Sequence, residues 1–476
     1  MKIQKLNFFA VFFTICSLFI VGCQSSEGIE NPKTRSKTKN LKNSQAQTKV
    51  SQARNILLFI GDGMGDAHIT LARLMEKKKL FLDSFPVLGK LETFSLSNVV
   101  TDSAASATAM ATGWKTLNGV LGMAPGKGKK LVPVQSLMEW LRGKGYSVGV
   151  VTTTRITHAT PAAFLSHVER RYWEKKVARQ YLKSGAQLFF GGGKKYFNKS
   201  LLRDFQKNGY RLVFSEKDLM KLHTFEKVLA LFSRSHIPFE LERSKEPSLL
   251  EMTKKAVELL EKGKRPFFLM VEGGRIDHGA HIHDAASVWR QLVGFDRAVG
   301  WAKDWAAKRE DTLVVVTADH ATGGLAVSKN FRPQYLKSIR HSAEELAKRV
   351  QRGEEAEALL RKLGYIQKLT KREKQWLKLA SLQKNGYLLA KTIGHILSRR
   401  AGVYFYPLEY GSFKGFQRPE HSGVDVSLYA FGPGEHLFGK TMLNSKLPIY
   451  LAKALGEEFH PQMKTRKRKQ HEKTGD

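Results

Sequence analysis

The chain has 476 residues, 79 of them Lys or Arg against 43 Asp or Glu, for a formal charge of +36. With 42% hydrophobic residues it is neither a disordered nor a collagen-like sequence, and its length suits one large α/β domain or two ordinary ones. Two cysteines exclude a disulfide framework and a cysteine-based zinc site.

Lys2 and Lys5 precede an apolar run from Phe8 to Val21, too short to span a bilayer comfortably and laid out as a secretory leader. The run ends Ile20-Val21-Gly22-Cys23, which resembles a bacterial lipobox. Residues 1–22 are therefore read as a lipoprotein signal peptide, with Cys23 as the lipidated N-terminus, exported and anchored to a bacterial membrane. Cys16 lies in the removed segment, so a mature chain keeps Cys23 alone. Residues 23–50 are polar and basic, a composition that cannot bury a core, and read as a disordered tether. A second basic tail covers 461–476 and contains Arg466-Lys467-Arg468-Lys469. Most of the positive charge lies on the body between them. It favours anionic surface polymers as partners, while no motif specifies a nucleic acid.

The body, residues 51–460, alternates strand and helix. Asn55–Ile60 is a continuous apolar run ended by Gly61-Asp62-Gly63, the pattern of a strand buried on both faces of a parallel sheet. Tyr146–Val151, Gln187–Phe190, Pro266–Val271 and Thr312–Thr317 repeat it, with helices predicted over Pro133–Arg142 and Ala285–Lys303. The expected fold is a three-layer α/β/α sandwich with a mostly parallel central sheet.

Such sheets bind ligands beyond the carboxyl ends of their strands, where Asp62, Glu272, Asp319 and His320 stand. Each alone also fits a helix cap or a solvated loop; their shared edge points to a metal site. Asp277 and His281, four apart, share a face if their segment turns helically, and a carboxylate with neutral imidazoles is a zinc ligand set. His283 is read as a bystander. Upstream, Thr101–Gly113 reads as a small-residue helix capped by Asp102, ended by Gly113, with Ser103 in its first turn. The helix N-terminus favours phosphate, and a divalent cation turns a weak serine nucleophile into a competent one.

Ser342–Glu345 and Thr370–Glu373 read as capping boxes that open amphipathic helices, with a third helix over Tyr387–Ser398. This insert, about 340–400, is read first as scaffold closing the sheet, with a cap over the site as the alternative.

Seven segments then resemble the alkaline phosphatases. They are NILLFIGDGMG (55–65), VTDSAASATAMATG (100–113), HATPAAFLSHVERR (158–171), AQLFFGGGKKYF (186–197), VEGGRIDHGAHIHD (271–284), TADHATGG (317–324) and HSGVDVSLYAFGPG (421–434). The resemblance implies two Zn²⁺ and one Mg²⁺. One zinc would take Asp277, His281 and His421; the other Asp62, Asp319 and His320; the magnesium Asp62, Thr160 and Glu272. It further implies Ser103 as the nucleophile and Arg171 as the phosphate clamp, with Arg170 the alternative one position earlier. His158, His278 and Asp102 would stand beside the ligands. His158 and His278 occupy places where many bacterial members carry Asp and Lys. The implied activity is hydrolysis of phosphate monoesters through a phosphoserine, with a homodimer left open. The nearest rival is a phosphodiesterase or sulfatase on the same scaffold, which Glu272, Thr160 and Arg171 argue against. An inactive polyanion-binding surface lipoprotein is more distant.

Overall fold

A computed structural model describes residues 52–383, 385–406 and 421–463. The leader, Cys23, the tether and the tail beyond residue 463 lie outside the described residues.

Ten strands form one sheet: β1 (Asn55–Ile60), β2 (Val87–Glu92), β3 (Ser147–Arg155), β4 (Leu188–Gly192), β5 (Tyr210–Val213), β6 (Lys227–Leu231), β7 (Phe267–Glu272), β8 (Thr312–Thr317), β9 (Val426–Phe431) and β10 (Thr441–Leu443). Their order is β10-β2-β9-β8-β1-β7-β3-β4-β6-β5. Every neighbouring pair is parallel except the two that β9 makes. β1, β7 and β8 are buried along their whole length, as their unbroken apolar sequences require.

Two sets of helices account for that burial. Asp66–Glu76, Leu249–Lys262 and Arg275–His281 pack around the long helix Ala285–Ala307. Ser103–Thr112, Leu137–Gly143, Ala159–Leu165 and Glu174–Ser184 form the other set. β3 touches members of both sets, so the sheet is the middle layer of the predicted α/β/α sandwich. No helix among the described residues is long and apolar enough to cross a membrane.

β1 and β8 fall on their predicted bounds, whereas β3 runs on to Arg155. The helix predicted from Pro133 starts instead at Leu137. Leu131–Pro133 pairs with Met123–Pro125, and Ser136 and Glu139 close a reciprocal capping box.

The insert folds as four helices, Ala343–Gln351, Ala356–Lys362, Lys371–Leu382 and Gly386–Arg400, the first and last packed together. Thr370 and Glu373 form the predicted box in full. Ser342 forms half of one: its hydroxyl accepts the Glu345 N–H, while its own N–H donates to Glu242 Oε1 at 2.6 Å. The insert packs directly on the segment after His281. A Cβ at Gly394 would fall 2.2 Å from the Ile282 carbonyl oxygen. Asp284 ties the layers by accepting the Ser287 N–H and the Ala343 N–H.

Burial pushes the Glu242 carboxyl up to about 7, above the value of about 4.3 expected in an unfolded chain. Native protein then binds the extra proton, so this stabilisation is present at low pH and is lost as pH rises through that window. In urea unfolding, Glu242→Gln is expected to lose less stability than the parent between about pH 5 and about pH 7.5. An equal loss would show that Glu242 does not titrate there.

Candidate metal centre and nucleophile

Parallel register assembles the site. Ile60 pairs with Glu272 on one side and Thr317 on the other, and Thr152 pairs with Glu272. Asp62, Glu272, Asp319 and His320 therefore leave the sheet at one edge, all fully buried. The helix Arg275–His281 brings His281 Nε2 to 3.2 Å from Asp277 Oδ1, as its i,i+4 spacing predicted. His421 enters through a two-residue bridge that sets it opposite Thr322.

Three groups of side chains bring ligand atoms within 4.8 Å of one another: Asp277, His281 and His421; Asp62, Asp277 and His320; Asp62, His158 and Glu272. The first is the set read from the sequence. In the second, Asp277 stands where Asp319 was expected. Asp319 lies alongside, its Oδ1 accepting the Gly63 and His320 N–H groups and its Oδ2 3.2 Å from His320 Nε2. In the third, His158 joins the two expected acids, and Thr160 Oγ1 donates to Asp62 Oδ2 at 3.5 Å.

Hydrogen bonds fix the imidazoles. The Thr322 hydroxyl donates to Asp277 Oδ1 at 2.6 Å, so it accepts from His320 Nδ1 at 3.2 Å. That leaves a lone pair on His320 Nε2, to which Ser103 Oγ donates at 3.2 Å. His421 Nδ1 donates to the Thr101 carbonyl at 2.8 Å, leaving its Nε2 lone pair facing His281 Nε2 across 3.2 Å. On Glu272, Oε2 accepts from the hydroxyls of Thr152 and Thr154.

Burial pushes the Asp62 carboxyl well up, and Asp319, Asp277 and Glu272 add repulsion. Burial and then Asp277 raise Asp319 to about 7, and burial raises Glu272. Burial also acts to raise Asp277, but His281, which hydrogen-bonds it, holds it well below the usual carboxylate range. Burial lowers His320, His158 and His421, keeping these rings neutral with lone pairs to offer. Asp62 Oδ1, Glu272 Oε1 and Asp319 Oδ2 are buried with no hydrogen-bond donor. Orphaned carboxylate oxygens facing neutral imidazole nitrogens fit divalent cations.

Ser103 opens its helix as predicted. Asp102 caps it through the Ala105 N–H at 2.9 Å, and Gly113 ends it in the left-handed conformation. Arg171 reaches the site, its Nη1 donating to Asp102 Oδ2 at 3.0 Å and its Nη2 to His158 Nε2 at 3.2 Å. Arg170 instead donates to the Tyr172 hydroxyl at the surface. His278 packs edge-on to His158 with ring centroids 5.4 Å apart, and His236 lies 4.3 Å from His278. His283 faces His395 and stacks on Phe405, outside the ligand groups. Sequence reasoning missed Thr322, Thr152, Thr154 and His236. The threonines could have been found at the ends of the ligand strands, whereas His236 carried no local signal.

The family model described as alkaline phosphatase matches residues 53–456. Alkaline phosphatase 4 of Bacillus subtilis (strain 168) is 33% identical, covering 82% of this chain and 86% of that protein. Among solved structures, the cold-active alkaline phosphatase of Shewanella sp. superimposes with a TM-score of 0.74 at 31% identity, covering 84% of this chain and 99% of the other. The Thermus thermophilus alkaline phosphatase gives 0.77 at 26% identity, covering 87% and 93%. Extended sequence identity and a shared fold place the metal-ligand groups described above in a known setting: the chain belongs to the alkaline phosphatase family.

Proposed function

We propose that the chain hydrolyses phosphate monoesters through a phosphoserine at Ser103, using two Zn²⁺ and one Mg²⁺, outside the cytoplasm. The observation that carries this reading is Ser103 Oγ, held 3.2 Å from His320 Nε2 amid three overlapping ligand groups. The imidazole-rich groups around Asp277 suit zinc, and the group of Asp62 and Glu272 with Thr160 nearby suits magnesium. When bound, such ions neutralise phosphate charge, activate the serine and stabilise the leaving oxygen.

The chain's own residues do the rest. The helix beginning at Ser103 presents its positive end to the phosphate, and Asp102 holds that first turn in place. Arg171 offers a planar fork for two phosphate oxygens, aimed by its bond to Asp102. Ser103 Oγ displaces the alcohol, and water then cleaves the phosphoserine, two in-line steps that together retain configuration at phosphorus. His158 gives its Nε2 lone pair to Arg171, so a third cation using that nitrogen competes with this hydrogen bond. Export with lipidation at Cys23 places the activity at a bacterial membrane. The basic body favours contact with anionic surface polymers, and a homodimer is compatible with the family.

Ser103→Ala is expected to lower kcat by about 10³-fold or more on a nitrophenyl phosphate, the scale of losing a nucleophile. Retention of full activity would overturn the serine's role. Chelation should abolish turnover and lower the unfolding temperature together. Restored zinc returns about 2.7 kcal/mol of stability at a hundred times its dissociation constant; unchanged melting on chelation would count against a resident metal. Cys23→Ala should move the protein from the membrane to the soluble fraction after cell lysis, and a protein that stays with the membrane would sink the lipid anchor.

A further inference from the structure

The chain leaves the sheet at Arg155, the last residue of β3, and enters the helix Glu174–Ser184 at Glu174. Between them lie His158, a member of the third ligand group, and Thr160, which donates to Asp62. Asp62 and Glu272 reach that group from the ends of β1 and β7. Only its other half depends on this excursion.

The two ends of the excursion are bonded to each other. Arg155 Nη2 donates to Glu174 Oε1 at 2.7 Å and Arg155 Nε donates to Glu174 Oε2 at 2.8 Å, a two-pronged pair. Thr157, one residue before His158, donates its hydroxyl to the same Oε2 at 2.6 Å. The remaining arm of the guanidinium, Nη1, donates to His236 Nε2, and the His236 ring packs edge-on against His158 with centroids 5.6 Å apart. Side-chain exposures of 16% for Arg155 and 6% for Glu174 set this pair apart from a surface ion pair, because removing one partner leaves the other charge buried and unpaired.

His158 has little else to fix it. Its Nε2 accepts from Arg171 at 3.2 Å, its backbone N–H donates to the Arg155 carbonyl at 2.8 Å, and its Nδ1 is buried with no hydrogen-bond partner among the described residues. Thr160 stands in the short helix Ala159–Leu165 that follows directly. The place of both side chains is therefore set by residues 155–158, which Glu174 grips at Arg155 and again at Thr157.

We infer that Arg155 and Glu174 are positioning residues for the third ligand group: their pair, with Thr157, holds His158 and Thr160 against Asp62 and Glu272. The inference rests on the three-metal reading above and extends it to residues that belong to no ligand group. Its effect is selective. Asp277, His281, His320 and His421 stand on other elements, so the two imidazole-rich groups do not depend on this clasp.

The test is the affinity for Mg²⁺, titrated calorimetrically into the zinc-loaded enzyme, with zinc content measured on the same samples. Glu174→Gln keeps the size and removes the charge. Thr157→Val keeps the shape and loses only the hydroxyl bond, which decides the matter if Glu174→Gln leaves Arg155 unpaired and the protein unfolded. Each is expected to weaken Mg²⁺ binding about tenfold or more, the scale of losing a group that orients a ligand, with zinc content unchanged. Affinities within about twofold of the parent in the folded variants would overturn the positioning role and leave the phosphatase reading intact. Zinc and magnesium lost together would overturn it as well, because a purely structural pair loosens every ligand group alike. A zinc-loaded parent that binds no Mg²⁺ would overturn the magnesium site of the proposed function, and the positioning role with it.

Discussion

Four carboxylates, Asp62, Glu272, Asp277 and Asp319, are buried against one another at a single sheet edge. In a dry interior such a cluster repels itself and gives up charge unless positive partners are supplied. Burial already pushes Asp62, Glu272 and Asp319 upward, and repulsion from neighbouring carboxylates adds to it at Asp62 and Asp319. The parallel register of β8, β1, β7 and β3 forces the acids together, so the conflict cannot relax by local rearrangement. Arg171 lies close enough to Asp62 and Asp277 to offset part of the charge, but it is engaged with Asp102 and His158. Family membership supplies the remaining positive charge as divalent metal ions.

Holding such ligands ready takes hydrogen bonds that leave one atom of each free. Thr322 is the clearest case, because a single hydroxyl donates to Asp277 and accepts from His320, fixing a carboxylate and a tautomer together. The backbone carbonyl of Thr101 fixes the tautomer of His421 by accepting from its Nδ1. Gly63 permits the close packing beneath them: it has φ +75°, and a Cβ there would lie 2.8 Å from both Asp277 Cα and Thr322 Oγ1. Its N–H meanwhile orients Asp319.

The ligand strands were legible because each is a continuous apolar run that stops at an acid. β2 was not: its sequence Val-Leu-Gly-Lys-Leu-Glu is only partly buried, and Gly89 breaks the pattern where the backbone of Phe438 and Lys440 comes close. β5 and β10 are too short and mixed to stand out from loops. At the third ligand group, His158 and Thr160 sit on the same turn, and spacing does not tell which of them meets Glu272. His236 joins His158 and His278 only through tertiary folding, from a loop with no distinguishing neighbours. Helical periodicity in the insert revealed helices but not that one of them abuts His281.

That attachment decides how the protein can vary. The insert hangs on backbone and capping groups: the Ser398 hydroxyl donates to the His283 carbonyl and accepts the Ala285 N–H, Asp284 caps Ala343, and Gly394 packs on Ile282. None of these contacts uses a ligand atom of His281 or Asp277. The ligand helix and the insert are therefore joined through backbone and capping groups rather than through the carboxylate cluster. Substituting Gly394, where a Cβ would fall 2.2 Å from the Ile282 carbonyl oxygen, would shift the segment that follows His281 and so disturb the ligand helix.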